Sequence, residues 1–272
     1  MPANDYKHII LELNYCLYLS LTGTTLLRDD CIVALNPRNK EHQQSNLCFR
    51  IRIETIEDLK DLFDETTKIF YTLSLEPRYF IDELSRPPLE DICNEFSKLY
   101  HTKVEIDTDV IMSWDYHNQE QQTVIIRNAT MIEFKTATMH QLENLTEIFA
   151  AAYNYSGDID WLRYKLKTQL ADPDTFPITY GEHIKDGTCY CAVILHTPLG
   201  LPHLGHVNAV ATHPDHQRHG YAADCLLTAL TKQNNKKIYL EVYDDLHHAQ
   251  RMYKRIGFKY EGLLRSSTFT IN

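Results

Sequence analysis

Three things are missing from this chain of 272 residues: a long apolar run, an excess of basic charge, and a Cys-x-x-Cys pair. Each absence closes off a class of function. A membrane-spanning helix needs about 20 apolar residues in succession. The nearest approach, residues 9–27, is broken by Glu12 and Asn14 and preceded by Asp5. It reads instead as a core helix, with Ile10, Leu13, Leu17 and Leu21 at helical spacing, and it is a poor match to the basic n-region and clean apolar core of a secretory signal. No membrane partner is expected. With 27 Lys and Arg against 37 Asp and Glu, the net charge is -10, so a surface that tracks nucleic-acid phosphates is not expected either. The seven cysteines, at 16, 31, 48, 93, 189, 191 and 225, are odd in number and scattered. They read as reduced thiols of a cytoplasmic protein rather than a disulfide framework. Repeats and low-complexity tracts are absent, and a composition 43% hydrophobic and 24% charged excludes wholesale disorder.

What is present divides into two. Residues 1–129 carry 13 basic against 22 acidic side chains, a net of -9, whereas residues 130–272 carry 14 against 15, a net of -1. This asymmetry, with the polar stretch from Asp115 to Gln122, predicts an N-terminal α+β domain over 1–129 and a second domain over 130–272. In the first, the pattern predicts helices near 7–22, 55–69 and 87–100 and strands near 47–53, 72–76 and 109–114. In the second it predicts a strand over 131–136, a helix over 138–153, and a helix from an Asp158 N-cap to about Leu170. Strands follow at 176–182, 188–195 and 205–212, then a helix from Gly220 to about Lys232 and a strand over 238–243. A last helix runs from an Asp245 cap through Ile256 and ends on Gly257, before terminal strands.

Two stretches of the second half carry chemistry. Val210 to Cys225 reads as a strand, a polar turn, and Gln217-Arg218-His219-Gly220-Tyr221-Ala222 opening a helix. Such a turn aims backbone N–H groups and the helix dipole at an anion, and suits a pyrophosphate. Gly220 permits close backbone approach, and Ala222 leaves room beside it. The second stretch, 238–258, is a strand followed by a helix in which Ala249 and Tyr253 share a face, then Gly257-Phe258. Tyr253 alone reads equally well as a core aromatic.

Together the Q-x-x-G-x-A loop at 217–222 and the A-x-x-x-Y-x-x-x-G-F helix end at 249–258 resemble the Gcn5-related N-acetyltransferase (GNAT) superfamily over roughly residues 131–270. The resemblance implies an α+β fold: a mixed, mostly antiparallel sheet flanked by helices, preceded here by a second α+β domain. It implies acetyl-CoA as cosubstrate, with its pyrophosphate on Gln217, Arg218, His219, Gly220, Tyr221 and Ala222. It further implies a strand, Val210-Ala211-Thr212, that splays from its neighbour and pairs with the pantetheine arm, and it gives Tyr253 the role of protonating the departing thiolate. Two departures from the family pattern are Leu246, where Asn is common, and Thr212, where an aliphatic residue is usual.

Several superfamily members place a general-base Glu eleven residues before the loop Gln; that position is His206, with Glu241 and Glu182 as fallback bases, of which Glu241, on the neighbouring strand, reads rather as a structural residue. An imidazole is a reasonable base for an ammonium substrate. Histidines 203, 206, 213, 216 and 219 do not follow one helical face, and no metal is expected. The expected activity is acyl transfer from acyl-CoA to an amine, a small molecule or a protein lysine, by direct attack in a ternary complex. A non-catalytic acyl-CoA-binding or protein-interaction module is the alternative. The N-terminal half lacks a cofactor loop and reads as a degenerate second copy of the fold, as a lid or substrate domain, or as an interaction module.

Overall fold

The computed structural model describes residues 5–116, 131–155, 159–234 and 236–271. The expected boundary at 129/130, most of the polar stretch 115–122 and the Asp158 cap lie outside the described residues. Along the chain run α1 (Asp5–Leu21), β1 (Thr24–Leu27), β2 (Ile32–Leu35), β3 (Leu47–Phe49), α2 (Asp58–Thr72), β4 (Arg78–Asp82), α3 (Leu89–Tyr100) and β5 (Asp107–Asp115). They are followed by β6 (Ile132–Thr136), α4 (Leu142–Ala152), α5 (Asp160–Leu170), β7 (Ile178–His183), β8 (Cys189–His196) and β9 (Leu204–Thr212). Last come α6 (Tyr221–Thr231), β10 (Lys237–Tyr243), α7 (His247–Arg255) and β11 (Lys259–Thr270). By compactness the chain forms two units, one of residues 1–110 with 263–272 and one of residues 111–262.

In the first unit, β1, β2 and β3 are antiparallel neighbours and β3 meets β4 in parallel. The chain's own C-terminal residues complete the sheet, Ser266–Thr270 pairing antiparallel with Asp82–Arg78. Under it α2 buries Leu59, Leu62, Phe63 and Phe70, a helical spacing, against Ile92 and Phe96 of α3. Phe269 enters this cluster with its ring centroid 3.8 Å from that of Phe96 and 5.7 Å from that of Tyr79, on which it stacks.

Two readings of this unit are corrected. The strand expected at 72–76 is not there: α2 runs to Thr72, Ser74 turns with φ 55°, and the strand is β4, at 78–82. The alternating Leu73 and Leu75 are the packed end of a helix and its turn, with Leu75 donating back to the Phe70 carbonyl. The strand expected at 47–53 stops at Phe49, because Arg50 takes φ 56°. β1 and β2, four residues each, were not foreseen.

In the second unit the strand order is β5-β10-β9-β8-β7-β6, with β6 to β9 antiparallel and β9 parallel to β10. The strands and helices expected here are found, with ends moved by one to four residues. The last helix is one such case: its N-cap is Leu246, not Asp245. Its other end is as expected. Gly257 has φ 105°, the Phe258 N–H bonds the Tyr253 carbonyl at 3.0 Å, and the Gly257 N–H bonds that of Lys254 at 3.2 Å. That double closure ties Tyr253 to Phe258, whose rings meet edge to face. The seven cysteines form no disulfide. Among the described residues no helix is long and apolar enough to cross a membrane.

Candidate functional site

The site is a fork between two parallel strands. β9 and β10 are paired at Leu204–Lys237, Gly205–Ile238 and His206–Tyr239 and no further, whereas the other edge of β9 stays paired to β8 as far as Thr212. Gly205 keeps the closed end tight: a Cβ there would come within 2.6 Å of the Ile238 side chain. From Val207 to Thr212 the inner edge of β9 faces the opening. Within that stretch Leu195 opposes Val207 and Ile194 opposes Ala209, which makes Asn208 the extra residue of a bulge, without a ladder partner. The buried Gln169 of α5 fixes it, Nε2 donating to Asn208 Oδ1 at 3.0 Å.

Beyond the fork the chain turns through Pro214–His216 into α6. Arg218 and Gly220 both take positive φ, 65° and 87°, and Gly220 is the N-cap of α6. A glycine cap has no side chain to satisfy the first N–H groups of the helix, so these remain available to an external acceptor. Gln217 Nε2 reaches back to the Thr212 carbonyl at 3.4 Å, tying loop to strand. His219 stacks on Tyr221, and His216 on Tyr190 with centroids 3.6 Å apart. Burial and the neighbouring His213 hold His216 below the ordinary imidazole range. One feature opposes an anion: Asp224 lies in the first turn of α6.

On α7, Tyr253 is 9% exposed and has Tyr153 as a neighbour. Burial and the neighbouring Tyr153 push its phenol well above the ordinary range, so it holds its proton. Tyr153, which sequence reasoning did not single out, donates to the Val210 carbonyl at 3.4 Å and is itself pushed up to about 12 by burial. Its signal would have been its place one residue past α4, a position that pattern alone does not orient.

At the closed end His206 is 4% exposed, with Nε2 2.7 Å from Glu241 Oε2. Its Nδ1 is buried without a partner. Across the β8–β9 ladder the residue opposite is His196, fully buried, stacked on Phe176, with neither ring nitrogen hydrogen-bonded. Burial and then His206 hold His196 down to about 3, so it is neutral. The third candidate, Glu182, is not brought here: it lies on β7, two strands from β9, with its carboxylate held by Lys135.

The site therefore joins a strand edge open to an extended ligand, donors for an anion at one end, a protonated phenol on α7, and a His–Glu pair at the base. Comparison with known proteins bears on the family and the fold. Residues 142–258 match the model of the Acetyltransferase (GNAT) family. No curated protein matches the sequence. Among solved structures the chain resembles a GCN5-related N-acetyltransferase from Kribbella flavida, at 13% identity and TM-score 0.64 over 95% of this chain and 94% of that one. It resembles a functionally unknown conserved protein from Staphylococcus epidermidis, at 10% identity and TM-score 0.66 over 91% and 94%. It also resembles a tandem GNAT protein from the clavulanic acid biosynthesis pathway, at 10% identity and TM-score 0.57 over 99% and 97%. At these identities the likeness is one of fold, and it extends to the first unit as well as the second.

Proposed function

We propose, for a chain whose residues 142–258 match the model of the GNAT acetyltransferase family, that the fork binds acetyl-CoA and transfers its acetyl group directly to an amine. The observation that carries this reading is the unpaired inner edge of β9 running from the His206–Tyr239 pair toward a glycine-capped helix start. An extended pantetheine arm would lie along Val210, Ala211 and Thr212 as an added strand. The pyrophosphate would meet the N–H groups of Gln217 to Ala222, where the dipole of α6 favours negative charge.

An amine arrives as an ammonium ion and must lose a proton before it can attack. The His206–Glu241 pair supplies the acceptor. Attack forms the C–N bond, and the thioester oxygen gains negative charge that backbone donors around the Asn208 bulge stabilise. As the C–S bond breaks, Tyr253 protonates the sulfur, a role that suits a phenol held above its ordinary range. No step calls for a metal.

A panel of small amines and lysine peptides, offered with acetyl-CoA and read by free thiol and product mass, tests this. Turnover with at least one amine is the expected result. Calorimetric CoA binding without thiol release for any amine would identify the alternative, a non-catalytic acyl-CoA-binding module, and absence of binding would refute both.

A further inference from the structure

His206 and Glu241 are unequal members of their pair. The His206 side chain is 5% exposed and that of Glu241 19%. The imidazole has Glu241 on one side and, across the ladder, the fully buried His196 on the other. Of the two, the carboxylate is the more accessible to an entering amine.

The ring's own bonding points the same way. Nε2 has a partner and Nδ1 has none. If Nε2 carries the proton, it donates to Glu241 and leaves only a buried lone pair at Nδ1. If both nitrogens are protonated, Nδ1–H becomes a buried donor with no acceptor, a cost that the carboxylate at Nε2 does not remove. His196 offers no relief, since it is buried beside the same ring and stays neutral. The other titratable groups placed near the pair are Tyr239, opposite His206 on β10, with Lys237 over its ring, and Asp172 after α5, which acts on His196. Lys237 is committed to Glu261 at 2.9 Å.

We infer that Glu241 is the group that takes the proton from the amine, and that His206 is a positioning residue, a neutral Nε2–H donor that holds the carboxylate in the fork. The inference rests on the acyltransferase reading. In the step, an N–H bond of the ammonium breaks and an O–H bond forms on Glu241, leaving the nitrogen lone pair free. The second proton that nitrogen sheds as the amide forms balances the one the CoA sulfur takes up through Tyr253.

Two measurements test it. Nitrogen-15 spectra of the histidine rings, with His206 assigned by its loss in His206→Gln, should show the Nε2–H tautomer near pH 7.5. In pH profiles of kcat/KM, Glu241→Gln should lower the rate roughly 10²–10⁴-fold and abolish the acid limb. His206→Gln, whose amide can still donate, should stay within about tenfold of wild type with the limb displaced, a displacement that loss of mere packing would not produce. CoA affinity, measured by calorimetry, should hold in both variants. The reverse ranking of the two variants, an Nδ1–H tautomer, or a doubly protonated ring would overturn the assignment. Wild-type protein that binds CoA but acetylates no amine would refute the acyltransferase reading and with it the proton-acceptor role of Glu241, whereas the tautomer alone would still decide whether His206 is an Nε2–H donor to Glu241.

Discussion

The two units use the same order of elements and treat the same strand edge in opposite ways. Each has antiparallel strands leading to a helix, a parallel strand, a second helix and a further strand beyond. In the second unit the parallel pair opens after His206–Tyr239, and the edge beyond is left free of β10. In the first, the parallel pair β3/β4 consists of Cys48–Tyr79 alone, and the edge beyond it is filled. The Arg86 N–H bonds the Ile51 carbonyl at 3.0 Å and the Ile53 N–H bonds the Arg86 carbonyl at 2.9 Å. The segment after β4 thus takes the pairing that an extended ligand would need. The turn into α2 has the same eight residues as the turn into α6 but is acidic, with Glu54 and Glu57 and then Asp58 opening the helix, and the Asp58 carboxylate accepts from the Thr55 N–H at 3.2 Å. Four residues before the left-handed end of α3, at His101, stands Ser97, which bonds its own helix. The corresponding position before Gly257 is Tyr253. A strand fork can admit an extended ligand only where its edge is left unpaired. In the first unit that edge is filled, and a serine bound to its own helix stands where the second unit has its phenol.

The comparison breaks first at Gly220. A side chain there must adopt φ near 87° and would intrude on the donors, and a carboxylate would repel an anion as well. Gly220→Glu should abolish CoA binding, a loss above about a hundredfold from two or more charge-assisted hydrogen bonds, with an unchanged circular dichroism spectrum. Wild type should bind one CoA per chain; a second equivalent would assign a site to the first unit. Tyr253→Phe should keep CoA affinity and lower turnover by roughly 10²–10⁴-fold. Unchanged turnover at saturating acetyl-CoA would make it a packing residue.

On the first unit, Phe269→Ala should cost about 3–5 kcal/mol of stability, read by denaturant unfolding, since the ring is 8% exposed among Phe63, Tyr79 and Phe96. The smallest effect depends on pH. His196 is held neutral down to about 3, so between that value and about 6.5 the unfolded chain binds the proton that the folded one refuses. Stability is full above about 6.5 and falls as pH drops through this window. His196→Phe, which keeps the stack on Phe176, should flatten that acid slope by a few kcal/mol at most; an unaltered slope would show that this ring does not set it.

Legibility in the sequence followed the range of the interaction. The loop at Gly220 and the end of α7 at Gly257 rest on local backbone demands, so their residue types announced them. The absence of such a loop from the first half was equally visible. His206 could be named as a candidate but not its partner, because the pairing with Glu241 depends on the register of β9 against β10. Likewise, the Asn208 bulge exists only relative to β8. His196 was missed, though a polar residue ending the apolar run of β8 was a signal. In the first unit, the apolar spacing of Leu73 and Leu75 suits a strand as well as a helix end, and only the turn at Ser74 decides. Nothing local in residues 263–270 says which sheet they join.

That last strand has a consequence for the order of events in the cell. Residues 266–270 pair with β4, and Phe269 fills the first unit's core, yet they leave the ribosome after every residue of 111–262. The half of the protein that is synthesised first is therefore the half that is finished last. Until residues 266–270 have emerged, β4 presents a bare edge and the aromatic cluster lacks a ring, while the second unit already has its complete sequence. The N-terminal unit spends that interval as the more exposed of the two, dependent on a contact of very long sequence separation, which makes it the slower to fold and the more open to chaperones and proteases.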